Sequence, residues 1–145
     1  MPPRCLLTIF AKYPTPGTVK TRLAADIGPE PACSIYRAIV QRTIKTTQQW
    51  AHNSPHDVCL YTADNDHDRW SYWLADTDIP LHVQKGANLG ARMHNALSDG
   101  LTRGYDAAIC LGTDVPGVTC DHLNQAVSQL SRNDAVVGPS DDGGY

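Results

Sequence analysis

The sequence has no long apolar run. Its unbroken apolar stretches, such as Ala107–Leu111, fall far short of the roughly 18 residues that a membrane-spanning helix needs. Its start, Met1-Pro-Pro-Arg-Cys-Leu-Leu-Thr-Ile-Phe10, carries one positive charge and too short an apolar run for a signal peptide, so a cytoplasmic location is expected. There is no Cys-x-x-Cys, and the cysteine count is odd: Cys5, Cys33, Cys59, Cys110 and Cys120. A disulfide framework is therefore not expected, and Cys5, Cys59 and Cys110, which lie in apolar runs, read as small buried hydrophobes. Internal repeats, linkers and low-complexity stretches are missing as well. A net charge of −3 argues against a nucleic-acid partner held by bulk electrostatics.

What is present is an ordinary globular composition, 41% hydrophobic and 19% charged, over 145 residues. A chain of this length forms one domain and buries roughly 68–70% of its unfolded surface, so its core needs no staples. The charge is unevenly placed. Arg4, Lys12, Lys20 and Arg22 all precede Asp26, the first of the fifteen acidic residues. A locally positive N-terminal region on an acidic chain points to a small anionic ligand.

Short apolar runs alternate with helical patterns. Strands are expected at Cys5–Phe10, Asp57–Thr62, Leu81–Gln84, Ala107–Gly112 and Ala135–Gly138. Between them, the spacing of Ala32, Ile35, Tyr36, Ile39, Val40, Thr43, Thr47 and Trp50 predicts a helix over Pro29–Ala51, with Pro29 and Pro31 in its first turn. A short helix is expected at Asp68–Ala75. Leu89, Met93, Ala96, Leu97 and Leu101 mark a helix stopped by Gly104, and Leu123, Ala126, Val127 and Leu130 mark another. The alternation predicts an α/β domain in three layers, α/β/α, with a mostly parallel sheet. The wholly apolar Ala107–Leu111 stretch predicts a strand covered on both faces. Ligands of such sheets bind outside the carboxyl ends of the strands, so the loops there hold the candidate functional residues.

The loop after the first strand, Ala11-Lys-Tyr-Pro-Thr-Pro-Gly-Thr-Val-Lys-Thr-Arg22, holds two prolines, one glycine and three cations. Lys20-Thr21-Arg22 opens a short helix, and amide N–H groups flanked by Lys and Arg suit a phosphate. Neither a P-loop nor a G-x-G-x-x-G pattern is present. The plainer reading is a solvated basic loop. Phe10-Ala-Lys-x-Pro-x-x-Gly-x-Val-Lys-Thr-Arg-Leu23 resembles the opening signature of bacterial transferases of the glycosyltransferase-A (nucleotide-diphospho-sugar transferase) fold. These are the radical-SAM- or selenodomain-associated glycosyltransferases, more distantly related to the molybdenum-cofactor and phospholactate guanylyltransferases. The resemblance implies that this loop, from Ala11 to Thr21 and Arg22, wraps nucleotide phosphates. Lys12, Lys20 and Arg22 would lie on them, and Gly17 would allow close backbone approach.

Three further segments resemble the same group. Gln84-Lys-Gly-Ala-Asn-Leu-Gly-Ala-Arg-Met93 is similar to its Gln-x-Gly-x-x-Leu-Gly-x-Arg-Met signature. This implies that Gln84 and the Gly90 backbone hold the nucleobase. Gly86 permits the turn, and Arg92 reaches a phosphate or orients the loop; a helix start with an exposed arginine is the plainer reading. Gly112-Thr-Asp-Val-Pro116 resembles Gly-Thr-Asp-x-Pro, which implies that Asp114 ligates Mg²⁺ or Mn²⁺, with Thr113 a weaker candidate; an N-cap or Asx-turn aspartate is the alternative. Gly138-Pro-Ser-Asp-Asp-Gly-Gly-Tyr145 resembles Gly-Pro-x-x-Asp-Gly-Gly-Tyr. By that likeness Asp142 holds the metal, touches the transferred sugar or serves as base; a glycine-rich turn is the plainer reading.

Other constellations lead nowhere. Asp64-Asn-Asp-His-Asp68 starts like a calcium loop, but Arg69 and Ala75 stand where Gly and Glu are needed, so its acids read as helix caps. Pro55 keeps His52 and His56 off a shared helical face. His67, His82, His94 and His122 read as surface or satisfied residues, and Trp50, Trp70, Tyr72 and Trp73 as packing. No H-E-x-x-H or G-x-S-x-G is present.

The expected function is glycosyl transfer from a nucleotide-activated sugar with a divalent metal, with Lys20, Arg22 and Asp142 as catalytic candidates. The alternatives are nucleotidyl transfer from a triphosphate to a phosphorylated acceptor, and a nucleotide-binding module without turnover. The last motif is cut at Tyr145, so residues 1–145 read as the nucleotide-binding, N-terminal portion of a larger domain whose C-terminal part is missing. An uncovered sheet edge and exposed apolar surface then predict a homodimer or poor solubility.

Overall fold

Seven consecutive apolar or small residues, Cys5–Ala11, form strand β1, and all seven are buried. The structure, a computed structural model, describes residues 2–63 and 65–141. β2 (Asp57–Thr62), β3 (Leu81–Val83) and β4 (Ala107–Gly112) complete a sheet in the order β3-β2-β1-β4, parallel at every pairing. β1 is therefore an inner strand, and its side chains alternate between two cores. Cys5, Leu7, Ile9 and Ala11 pack with one cluster that includes Tyr36, Val40, Trp50, Trp70, Leu123 and Val127. Leu6 and Phe10 pack with Cys59, Tyr61, Ala96 and Tyr105 on the other side. So α2 (Pro29–Ala51), α3 (His67–Trp73) and α5 (Cys120–Leu130) cover one face, and α4 (Leu89–Thr102) covers the other. This is the expected α/β arrangement with helices on both faces of a parallel sheet.

Details differ from the sequence reading for physical reasons. Ala135–Gly138 forms no strand; Val136 and Val137 are exposed. Four residues ending in Gly138-Pro139 offer few ladder hydrogen bonds to hold a strand at the open side of β4. β4 is accordingly half-buried along Ala108–Leu111 rather than covered on both faces. On α2 the buried stripe is rotated: Cys33 and Ile44 are inside while Ile35 is 44% exposed. On α4 only Ala96 and Gly100 are fully buried, and Leu89 and Leu101 face solvent. Gly100 lets the helix lie against the sheet, since a Cβ there would sit 3.1 Å from Leu6 Cδ2.

All five cysteines are free thiols; Cys5, Cys33 and Cys59 are buried, and burial pushes the Cys5 and Cys59 thiols up to about 12. Trp70 is fully buried, donating its indole N–H to Thr62 Oγ1 at 2.9 Å, but Tyr72 is 87% exposed and takes no part in packing. Asp66 stands at the N-cap of α3 without a capping hydrogen bond; its carboxylate pairs with Arg69 at 3.3 Å instead. His82 also departs from expectation. Its ring stacks on Tyr61, and its buried Nε2 has no hydrogen-bond partner among the described residues.

Candidate functional site

From β1 the chain steps outward to β2 and β3, then returns to place β4 on the other side of β1. The order reverses between β1 and β4, and a doubly wound sheet opens a crevice at such a switch, outside the carboxyl ends of its strands. Phe10 and Gly112 are register partners at that end. The loops that follow them, 12–20 and 113–119, flank the crevice.

The first loop is built rigidly. Thr18 N–H and its hydroxyl both donate to Thr15 O, at 3.0 and 2.8 Å. Gly17 sits at the middle of that turn with φ +84°, a conformation that favours glycine. Lys12 Nζ donates to Thr18 O at 3.3 Å, closing the loop across its base. Arg69, from α3, braces it from outside. It donates to Thr15 Oγ1 at 3.1 Å, and its guanidinium lies 3.9 Å from the Tyr13 ring centre.

Lys20 ends the loop and is the N-cap of α1 (Thr21–Ile27), with left-handed backbone, φ 50° and ψ 44°. Such a conformation is uncommon for any residue that carries a Cβ and costs on the order of 1 kcal/mol. Its ammonium meets the Asp114 carboxylate of the opposite loop at 2.6 Å. Asp114 is 69% exposed at its side chain and Lys20 25%. Asp114 is an exposed carboxylate paired across the two loops, and α5 (Cys120–Leu130) takes its N-cap from Thr119 instead. Arg22 is exposed two residues further on, with no ion pair among the described residues.

The loop after β3 lies farther along the same sheet edge, separated from β1 by β2. Gln84 N–H donates to Thr62 O at 2.9 Å, and its side-chain amide donates to Tyr61 O at 3.0 Å. Because Tyr61 O can only accept, the amide nitrogen must be the group facing it, and Gln84 keeps its carbonyl oxygen and second N–H. Asn88 caps α4 through Ala91 N–H at 2.9 Å. Arg92 Nε donates to Gly86 O at 3.1 Å, so this arginine orients the loop. Gly86 is required: its φ is +145°, and a Cβ would lie 2.7 Å from Arg92 N. Gly90 packs less tightly, with Asn88 Oδ1 at 3.4 Å from an added Cβ.

The structure thus sets Lys20 against Asp114 across the two loops and ties Lys12 to the buried Thr113 through Tyr36, while Gly17 lies in the turn of the first loop and Thr21 and Arg22 open α1. Ala11 is buried within β1, and its carbonyl takes Ala63 N–H at 3.0 Å. Gln84, Gly86, Gly90 and Arg92 form a second cluster two strands away. Asp142 lies outside the described residues, as does Asp64. Tyr36 and Arg69 belong to the site by contact and carry no signature in the sequence: Tyr36 reads as a stripe residue of α2, and Arg69 as part of a surface helix.

Among the described residues no three His, Cys, Asp or Glu side chains converge on a metal position. One open carboxylate still fits Mg²⁺ or Mn²⁺, hard cations that take one or two carboxylates and draw their other ligands from water and substrate phosphates. Lys20 holds that carboxylate here, so a cation would displace an ammonium.

No helix among the described residues is long and apolar enough to cross a membrane. No curated protein matches the chain. A solved structure named "putative nucleotide-diphospho-sugar transferase", from Desulfovibrio desulfuricans G20, superposes with a TM-score of 0.87 at 33% identity, covering 100% of this chain and 62% of the other. The chain therefore spans less than two thirds of that neighbour's length. Residues 46–145 match the family model described as "Uncharacterized protein conserved in bacteria (DUF2064)", and the chain belongs to that family.

Proposed function

We propose that the chain carries the nucleotide-binding part of a glycosyltransferase-like enzyme, acting on a nucleotide-activated sugar with Mg²⁺ or Mn²⁺. The observation that carries this reading is the Lys20–Asp114 pair, which spans the crevice between β1 and β4 at 2.6 Å. Opposite charges held on two facing loops suit a ligand that needs both: a diphosphate and its cation. The named activity of the neighbour from Desulfovibrio desulfuricans G20 supports the same class. The motif likeness to radical-SAM- and selenodomain-associated glycosyltransferases supports it further.

In this reading Lys12, Lys20 and Arg22 bind the diphosphate. Asp114 would hold the cation, which when bound neutralises charge building on the departing nucleoside diphosphate. Lys20 adds to that stabilisation from the opposite side, a preorganised electrostatic role. Gln84 offers one acceptor and one donor to a nucleobase, and Arg92 keeps the loop of Gly86 and Gly90 in place for it. An acceptor hydroxyl then attacks the anomeric carbon as the sugar–phosphate bond breaks, and Asp142 is the candidate base that takes the proton.

Isothermal titration with nucleoside diphosphates, sugar nucleotides and nucleoside triphosphates, each with and without Mn²⁺, tests the reading. Metal-dependent binding of a sugar nucleotide is the expected result. Preference for a triphosphate with pyrophosphate release would redirect it to nucleotidyl transfer. Metal-independent binding without turnover would leave a binding module.

A further inference from the structure

The two loops of the crevice are also joined beneath the Lys20–Asp114 pair, through the buried hydroxyl of Tyr36 on α2, a residue only 6% exposed. Lys12 N–H donates to Tyr36 Oη at 3.1 Å. Tyr36 Oη and Thr113 Oγ1 are 2.9 Å apart, and Thr113 Oγ1 donates to Phe10 O at 3.2 Å. The direction of each bond follows. Phe10 O only accepts, so it takes the single hydroxyl hydrogen of Thr113; Tyr36 must then donate to Thr113 and accept from Lys12. The result is a one-way chain that leaves β1 at Lys12, crosses α2, enters the loop after β4 and returns to β1 at Phe10. Hydrogen bonds running in one sense strengthen one another, and a break leaves buried groups unpaired. Lys12 begins the loop that ends in Lys20, and Thr113 immediately precedes Asp114.

We propose that Tyr36 is a positioning residue that holds the basic loop and the Asp114 loop in one register, so that a diphosphate and a divalent cation bind cooperatively. Tyr36 touches neither ligand; it acts through the backbone at Lys12 and the hydroxyl of Thr113. The cooperative part rests on the assignment of Lys20 to diphosphate and Asp114 to the cation given above. The mechanical part rests on the hydrogen-bond chain alone.

The test titrates inorganic pyrophosphate into the wild type and the Tyr36→Phe, Thr113→Val and double variants, with and without Mn²⁺. The Mn²⁺-dependent gain in pyrophosphate affinity is expected to fall about tenfold in each single variant and no further in the double. Affinity without Mn²⁺ should stay within about twofold, and Thr113→Ser, which keeps the hydroxyl, should retain the gain. Equal losses with and without Mn²⁺ would show that Tyr36 merely supports the fold, and would overturn the proposal. A wild type that binds no pyrophosphate in either condition would instead overturn the assignment of the site. The hydrogen-bond chain itself is then decided by ¹⁵N relaxation: Tyr36→Phe must increase motion at Lys12 and at Thr113, Asp114, Val115 and Gly117 together, and a change confined to Lys12 overturns it.

Discussion

Lys20 Nζ stands 2.6 Å from Asp114 Oδ1, an ion pair between two loops that are 94 positions apart in sequence but adjacent in the sheet. An exposed pair of this kind contributes only about 0–1 kcal/mol to folding. Under the proposed function its weight is in the site: each charge would occupy the other until a ligand separates them.

That competition has a measurable outcome. Lys20→Met should weaken diphosphate binding by about tenfold or more, the scale of losing one charge-assisted hydrogen bond. The same substitution should tighten Mn²⁺ binding measured without nucleotide, because Asp114 is released. Asp114→Asn should remove the Mn²⁺ dependence of nucleotide binding. Titration calorimetry reads all three, and metal dependence that survives Asp114→Asn would refute the role given to that carboxylate.

Gly86 should tolerate no side chain. Its φ of +145° and the 2.7 Å approach of Arg92 N to an added Cβ both involve backbone, which cannot swing aside. Gly86→Ala should cost about 2 kcal/mol or more in urea unfolding. Gly117→Ala, with nothing within 4 Å of its Cβ, should stay within about 0.5 kcal/mol.

Gly100 sets two effects against each other. Alanine favours the helix by about 1 kcal/mol, but overpacking against Leu6 Cδ2 at 3.1 Å costs about 1–3 kcal/mol. Gly100→Ala should therefore destabilise. A double-mutant cycle with Leu6→Val should show the pair less damaged than the sum of the single changes.

Stability should fall on acidification in two stages. Burial lowers the pKa of His82 below its ordinary 6.5, with Arg103 and Lys85 acting the same way and Asp99 opposing. The unfolded chain then binds the proton first, so stability is present above pH 6.5 and drains as pH falls below it. Replacing His82 with Phe should reduce that part of the profile and leave the share of His56, which burial also holds below its ordinary 6.5. At the far end of the sheet, burial pushes the Asp57 carboxyl up, but the Tyr105 hydroxyl at 2.7 Å and Arg4 at 2.8 Å outweigh it and hold it below its ordinary 3.8. Its contribution is present above pH 3.8 and is lost as pH falls through the lowered value, a loss that Asp57→Asn should abolish in thermal melts at stepped pH.

The strands Asp57–Thr62 and Ala107–Gly112 and the helix Pro29–Ala51 are legible to the residue, because apolar runs and a 3.6-residue stripe are local patterns with clear stops. The loops that carry the candidate residues were legible too, since parallel strands send every such loop to one end of the sheet. The strand expected at Ala135–Gly138 was not, because a four-residue apolar run says nothing about whether a neighbour is there to pair with it. Nor was the exposure of Tyr72: an aromatic next to two packed tryptophans looks like core until the helix has a face.

Residue order alone therefore set most of the element sequence, the parallel sheet and the basic character of the first loop, all consequences of periodicity and local charge. Only the tertiary structure decided that β4 lies beside β1, that Lys20 meets Asp114, and that Tyr36 joins Lys12 to Thr113. Those contacts link positions separated by 24 to 102 residues, and a contact across such a distance depends on strand order and helix packing, which no local pattern encodes.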